Sequence, residues 1–220
     1  MKRMVLFGVG SPLVADIEES MDRSGVVLEA GISNRAGESY LIDHSRLVDL
    51  AAVQSDQRIL PFLVPLFTPA NRWQAVQEAA RHGFCNPGSL IDASVPKVRS
   101  LDHQPGLFVN AGCTLGAASV YEGFVLINRG ATIGHHVHLG PYVSIGPAAV
   151  LCGLVRVAHG AVIGAGSVIL PDVRIGANSV VAAGSVVNSD VPDQCLVMGN
   201  PARILKQNIP GYRDGTVPPP

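Results

Sequence analysis

Gly134-His135-His136-Val137-His138, with Asn128 shortly before it, is the densest group of proton-exchanging side chains in the sequence. Imidazole is the side chain suited to gaining and losing a proton near neutrality. Gly153 stands eighteen residues after His135. In a chain that stacks on itself every eighteen residues, that glycine lies directly over the imidazole. A histidine on a rigid corner beside an exposed backbone N–H supplies a general base and a hydrogen-bond donor. Acyl transfer needs both: the base takes the proton of an attacking amine or hydroxyl, and the donor holds the oxyanion of the tetrahedral intermediate. A positioned base contributes about 10²- to 10⁴-fold to the rate, and one oxyanion donor about 10²- to 10³-fold. The competing reading of the same residues is a row of solvated corner histidines with no catalytic part.

Stacking of this kind is written into residues 109–187. Every sixth position is a large side chain: Val109, Leu115, Tyr121, Ile127, Ile133, Leu139, Ile145, Leu151, Val157, Ile163, Ile169, Ile175, Val181 and Val187. Thirteen of these fourteen are Leu, Ile or Val, far too regular for chance. From Ala131 to Ser185 the residue two places earlier is always Ala, Val or Ser, and Gly116, Gly134, Gly140, Gly146, Gly164 and Gly176 directly follow a large residue. One large inward side chain, one small one and a glycine-tolerant corner in every six residues is the pattern of a parallel β-helix built from hexapeptide repeats. Three hexads close one triangular coil, and coils stack at the strand spacing of about 4.8 Å. Each inward side chain contributes up to about 1.5–3 kcal/mol, so the scaffold is rigid. The same eighteen-residue step aligns Arg156 with Arg174, a basic ladder that either meets phosphates or is a solvated face. The stretch DVPDQCLVMGNPARILKQ leaves the period and is expected to cap the helix, and IPGYRDGTVPPP is expected to be mobile.

Residues 4–84 follow different patterns. Met4 to Phe7 reads as a buried strand, Gly8-Val9-Gly10 as a tight turn, Pro12 to Met21 as a helix and Val26 to Ile32 as a second strand. Leu47 to Val53 reads as a short helix, Ile59 to Phe67 as a third strand, and Pro69 to His82 as a helix opened by Pro69 and stopped at Gly83. The expected organisation is a small Rossmann-like α/β unit over residues 1–86, a β-helix over 87–205 and a flexible tail over 206–220. The amides around Gly8, Gly10 and Ser11 are candidates to hold a nucleotide phosphate, although a lone G-x-G also fits an ordinary turn.

The composition narrows the function. Over 220 residues, 47% are hydrophobic and 15% charged, which fits folded structure throughout. A formal charge of −1 gives no broad electrostatic footprint for nucleic acid or an anionic membrane. Apolar runs are broken well before the length of a membrane span, and the opening MKRMVLFGVGS reads as a strand and turn, not a signal peptide. Cys85, Cys113, Cys152 and Cys195 lack the paired spacings of zinc or redox motifs, which suits a reducing cytoplasm. Small molecules are the expected ligands.

The run NRGATIGHHVHLGPYVSIGPAAVLCGLVRVAHGAVIGAGSVILPDVRIGANSVVAAGSVVNSDVP, followed by VMGNPARIL, resembles the bacterial hexapeptide-repeat sugar acetyltransferases, which include sialic acid O-acetyltransferases and UDP-4-amino-sugar N-acetyltransferases of the bacillosamine and perosamine type. The resemblance covers nearly the whole chain. It implies a left-handed β-helix, acetyl-CoA as co-substrate with no metal, and a homotrimer with active sites at subunit interfaces. In catalysis it implies His135 as the base, with Gly153 N–H serving the oxyanion. It places the pantetheine arm along Gly164, Ala165 and Ala183, leaving Arg203 and Lys206 as further phosphate candidates. For the sugar nucleotide, relatives often carry acidic residues after the second strand, where this chain has Ser33 and Asn34 as the candidates. The family usually has Glu or Asp directly after the base, where this chain has His136; a neutral imidazole accepts a hydrogen bond but cannot offset an imidazolium charge. The histidine that often follows in the next hexad is replaced by Ser144, so the contacts made there to the acceptor are expected to differ. The implied activity is direct acetylation of an amine or hydroxyl on a free or nucleotide-activated sugar. Two alternatives share the scaffold: a zinc-dependent carbonic-anhydrase-like lyase drawing on His135, His136, His138 and His159, and a non-catalytic trimeric binding protein.

Overall fold

The structure, a computed structural model, describes residues 2–220. It opens with β1 (Lys2–Phe7), α1 (Leu13–Arg23) and β2 (Val26–Ser33), continues through β3 (Leu47–Asp49), α2 (Ser55–Arg58) and β4 (Phe62–Leu63), and closes with α3 (Pro69–Arg81). The four strands form a parallel sheet in the order β3-β2-β1-β4. This is the Rossmann-like unit expected from the sequence, with two local differences. Leu47 to Val53 was expected to be helical, but Leu47–Asp49 adds an edge strand to β2 and Leu50–Ala52 makes one 3₁₀ turn. The Asp49 carboxylate accepts from Ala51 N–H at 2.9 Å and satisfies that single turn. The third strand is only Phe62–Leu63, because Pro61 and Pro65 on its flanks have no N–H to give to a ladder.

From residue 90 the chain winds as a left-handed parallel β-helix. Two-residue strands form three faces, visited in turn. Face one carries Leu90–Ile91, Phe108–Val109, Leu126–Ile127, Ser144–Ile145, Val162–Ile163 and Val180–Val181; face two runs from Thr114–Leu115 to Val186–Val187; face three runs from Asp102–His103 to Arg174–Ile175. Cα partners are eighteen apart, as in Ile133 with Leu151 and Leu139 with Val157. All fourteen inward side chains are buried. Tyr121 is the one aromatic among them, and its hydroxyl is enclosed without a partner among the described residues. Burial of the ring pushes its pKa up. Since an unpaired buried hydroxyl costs about 1–3 kcal/mol, Tyr121→Phe should unfold at higher urea concentration than the wild type; an unchanged or lower midpoint would contradict this assignment.

The glycines directly after an inward residue have a different purpose from tight turning. The left-handed residue falls three places after each inward one from Val109 to Val181, at His136 (φ 57°), Leu154 (φ 67°) and Asp172 (φ 63°) on one corner. Glycine directly after the inward residue instead allows close stacking. A Cβ on Gly134 would lie 2.6 Å from Gly153 N, and one on Gly146 would lie 2.6 Å from Ala165 N.

The N-terminal unit sits on face one. Phe108 and Leu126 point outward there and pack with Met4, Leu6, Ile17 and Met21, joining the unit to the prism through an apolar seam. Two polar ties flank the seam. Arg23 on α1 donates to Asp92 at 2.8 and 2.9 Å, while Ser94 donates to the same carboxylate through its hydroxyl at 2.6 Å. Burial alone would raise the Asp92 carboxyl, but the bonds from Arg23, Ser94 and Ser20 outweigh it and hold it well below the usual carboxylate range. The depressed pKa contributes stability above the ordinary carboxylate range, lost only as strong acid protonates the folded form.

The second tie is Arg72 on α3, 2% exposed. Its guanidinium donates to the carbonyls of Leu66 and Phe67, to Phe124 O at 2.9 Å, to Tyr142 O at 2.8 Å, to Val143 O at 3.1 Å and to Ser144 Oγ at 2.9 Å. Burial lowers its pKa to about 9, which leaves it charged at neutral pH. The last residues, expected to be mobile, instead run back along the prism. Val217 is buried, donates its N–H to Asn178 Oδ1 at 2.9 Å and accepts from Asn178 Nδ2 at 3.0 Å.

Candidate active site

The turn between faces two and three carries His135, His136 and, one coil on, Gly153. The stacking expected from the eighteen-residue step is present. Gly153 lies against the ring so closely that a Cβ there would fall 2.6 Å from His135 Cε1 and 2.7 Å from Nε2. His135 O accepts from Leu154 N at 2.9 Å, which locks the two coils in register. Neither His135 N–H nor Gly153 N–H has an acceptor among the described residues, so the Gly153 amide is available to an incoming oxygen.

His135 and His136 are both exposed, with their Nδ1 atoms 3.1 Å apart and their rings nearly perpendicular. Only one of two facing Nδ1 atoms can carry the proton in that bond. When His135 is the donor, its Nε2 keeps the lone pair of a base. His136 has a left-handed backbone, and its ring lies against its neighbour's. Because the glycine makes room for the imidazole, Gly153→Ala should displace the ring and cut turnover by about 10²-fold while the urea midpoint stays near wild type. Full activity in that variant would show that the ring position does not matter.

The remaining candidates fall in four places. Arg156 and Arg174 are in register on face three, outward and without a carboxylate partner among the described residues. Two like charges side by side repel, and they line a cleft of about 560 Å³ with His138 and Glu122, which bond at 2.7 Å. Gly164, Ala165 and Ala183 lie on the corner between faces one and two; the amides of Ala165 and Ala183, exposed and eighteen apart, have no acceptor among the described residues.

Gly8, Gly10, Ser33 and Asn34 line a cleft of about 310 Å³ in the N-terminal unit. Ser11 lines a neighbouring one of about 320 Å³ that shares Gly10, Leu66 and Asn71 with the first. Asn34 is held by Glu78 Oε2 at 2.7 Å.

Two candidates are placed elsewhere. Ser144 was expected to meet substrate, but it is fully buried; its hydroxyl donates to Phe67 O at 2.6 Å and accepts from Arg72, so it joins the N-terminal unit to face one. Asn128 was expected to flank the histidines, yet it lies on the corner between faces one and two. There it accepts from Arg129 N at 2.8 Å and Asn110 Nδ2 at 3.1 Å, which makes it a turn-capping residue within its own protomer.

Sequence reasoning missed Leu66, Asn71, Tyr212 and Arg213, all lining the neighbouring cleft. Their only sequence signal was the polar-apolar mix at the end of the third strand and in the final segment. The histidines do not gather: His138 is on face three with Glu122, and His159 is on the corner between faces three and one. Among the described residues no three His, Cys, Asp or Glu side chains come together as a metal site requires. No helix among the described residues is long and apolar enough to cross a membrane.

Residues 155–189 match the family described as bacterial transferase hexapeptide (six repeats). No curated protein matches the chain in sequence. Among solved structures, PerB from Caulobacter crescentus, in complex with CoA and GDP-perosamine, is 28% identical with a TM-score of 0.79, over 94% of this chain and 98% of its own. A mutant of perosamine N-acetyltransferase from the same organism, also with CoA and GDP-perosamine, is 27% identical with a TM-score of 0.82, over 94% of this chain and 97% of its own. The acetyltransferase domain of PglB from Neisseria gonorrhoeae, in complex with acetyl coenzyme A, is 27% identical with a TM-score of 0.81, over 93% of this chain and 99% of its own. With its hexapeptide repeat, its fold and its likeness over nearly the full length of these sugar N-acetyltransferases, the chain is similar to the bacterial hexapeptide-repeat sugar acetyltransferases throughout and is an acyltransferase.

Proposed function

We propose that the protein transfers an acetyl group directly from acetyl-CoA to an amine or hydroxyl of a nucleotide-activated sugar, with His135 as general base. The observation that carries this reading is the imidazole stacked on Gly153 beside an amide with no other acceptor. His135 Nε2 takes the proton of the attacking group while Nδ1–H donates to His136. Gly153 N–H holds the oxyanion, and collapse of the intermediate releases the CoA thiol. His136 fixes the ring in the geometry that a carboxylate would give, without the carboxylate's charge. Arg156 and Arg174 suit the coenzyme's phosphates, and the amides of Ala165 and Ala183 suit its pantetheine arm.

The topology argues that one copy does not make a whole site. In a three-sided prism the corner between faces two and three is opposite face one, and face one carries the N-terminal unit. His135 therefore points away from the sugar cleft of its own chain. We infer that residues 1–86 hold the sugar nucleotide for the His135 of a neighbouring copy. A closed ring of three copies around face two fits this need, since Val150, Val168 and Val186 stand there in register and only half-buried. The four unpaired cysteines suit a cytoplasmic enzyme. Following thiol release from acetyl-CoA across a panel of UDP-, GDP- and dTDP-amino sugars and sialic acid tests the reading. One nucleotide-linked sugar should stimulate release far above the others, whereas no stimulation by any acceptor would contradict it.

A further inference from the structure

The chain's final segment leaves the end of the prism and returns to the N-terminal unit. Ile209 N donates to Gln194 O at 2.9 Å near the start of this return, and Val217 is clamped to Asn178 near its close. Between them Tyr212 packs edge-on against Phe67 with ring centroids 6.0 Å apart. Gly215 lies against Ala70 at the start of α3, where a Cβ on the glycine would fall 2.6 Å from the alanine's. Thr216 Oγ1 donates to Pro210 O at 2.7 Å and closes the loop.

This return sets Tyr212 and Arg213 against Gly10, Ser11 and Asn71, so the final segment is a wall of the second of the two adjoining clefts. Arg213 is exposed, lies 5.7 Å from the centre of the Tyr212 ring and has no ion-pair partner among the described residues. Across the cleft the N–H groups of Gly10 and Ser11 lack acceptors among the described residues. The first cleft, lined by Ser33, Asn34 and Tyr40, has polar and aromatic groups for a nucleoside. The second has a cation and free amides and no acidic side chain on its lining.

We propose that Arg213 is a substrate-binding residue that grips the diphosphate of the acceptor, with Tyr212 as the anchor that holds it in place. This deepens the preceding reading and rests on it, since it takes the acceptor to be a nucleotide-linked sugar. A guanidinium matches two phosphate oxygens at once, and its fixed fork discriminates a nucleoside diphosphate from a bare nucleoside.

Calorimetric titration of the full-length protein with UDP, GDP, uridine and guanosine tests this, comparing the wild type with Arg213→Ala and Arg213→Lys. The Ala variant should bind the preferred diphosphate about 10- to 100-fold more weakly, the Lys variant should recover part of the loss, and nucleoside binding and the KM for acetyl-CoA should not change. If the wild type binds a diphosphate and Arg213→Ala binds it equally well, the role of Arg213 is overturned while the nucleotide-sugar reading stands. Equal weakening of nucleoside and diphosphate would reduce Arg213 to a structural residue and also overturn it. If the wild type binds none of UDP, GDP and, titrated in the same way, dTDP, both readings fall together.

Discussion

Purified His135→Ala protein should transfer acetyl groups about 10²- to 10⁴-fold more slowly than the wild type, with an unchanged urea midpoint. The two readouts separate because His135 is exposed and its ring is not part of the apolar core. Only one inter-ring hydrogen bond and the packing over Gly153 are lost. The Gly153 amide, the proposed oxyanion donor, survives, so a residual rate above the uncatalysed one is expected. His136→Ala should cost less, because it removes the group that orients the base and leaves the base itself. His136→Glu should act in the other direction, since a carboxylate next to the ring would stabilise the imidazolium that forms as the proton is taken. A His135→Ala enzyme with near-normal kcat would require a different proton acceptor.

Arg72→Met should destabilise the protein by roughly 3–5 kcal/mol, the largest loss expected from any single substitution outside the inward column. The side chain is enclosed, and its six acceptors belong to three separate stretches: the end of β4 and its loop, the turn at Phe124, and the turn from Tyr142 to Ser144. Methionine fills much of the volume but satisfies none of the carbonyls. Arg72→Lys should recover little, since a single ammonium cannot span acceptors on two coils and a loop. The measurement is urea unfolding of both variants followed by far-UV circular dichroism. If Arg72→Met unfolds within 1 kcal/mol of the wild type, the seam between the N-terminal unit and face one is held without Arg72, by its apolar contacts and the Arg23–Asp92 tie.

These two residues also mark where the sequence could be read and where it could not. His135 was legible because a stacked prism converts sequence separation into position: once the inward series from Val109 to Val187 is recognised, Gly153 has to lie over the imidazole. The period also located Arg156 with Arg174 and Ala165 with Ala183. It could not show what covers an outward position. Ser144 and Leu126 are both outward on face one, and they are buried by a unit that the repeat knows nothing about. Arg72 looked like an ordinary helical arginine, because three of the carbonyls it satisfies, on Phe124, Tyr142 and Val143, come from residues 52 to 71 positions away.

Asn128 shows the opposite error. Seven residues before His135 is close along the chain, yet it is more than one full face away on the prism, and its side chain turns to Asn110 in its own column. In the N-terminal unit, Leu47 to Val53 carries helix-forming residues, but pairing with β2 and the Asp49 turn decide its structure. The final segment read as mobile because it is rich in Gly and Pro. Its order depends on Asn178 and Phe67, partners that no local pattern reveals.

The claim that most needs testing is that His135 serves a sugar held by another copy. Gly10 lines both clefts, and a Cβ there meets only Glu38 O at 3.8 Å, so Gly10→Trp should fold and block the cleft. Mixing subunits of Gly10→Trp with subunits of His135→Ala, each inactive alone, and measuring acetyl transfer after exchange decides the matter. If sites are shared between neighbouring copies in a closed ring, random mixing restores about one quarter of wild-type activity. If mixing restores nothing although the subunits have exchanged, each cleft is served by its own histidine and the shared site is wrong.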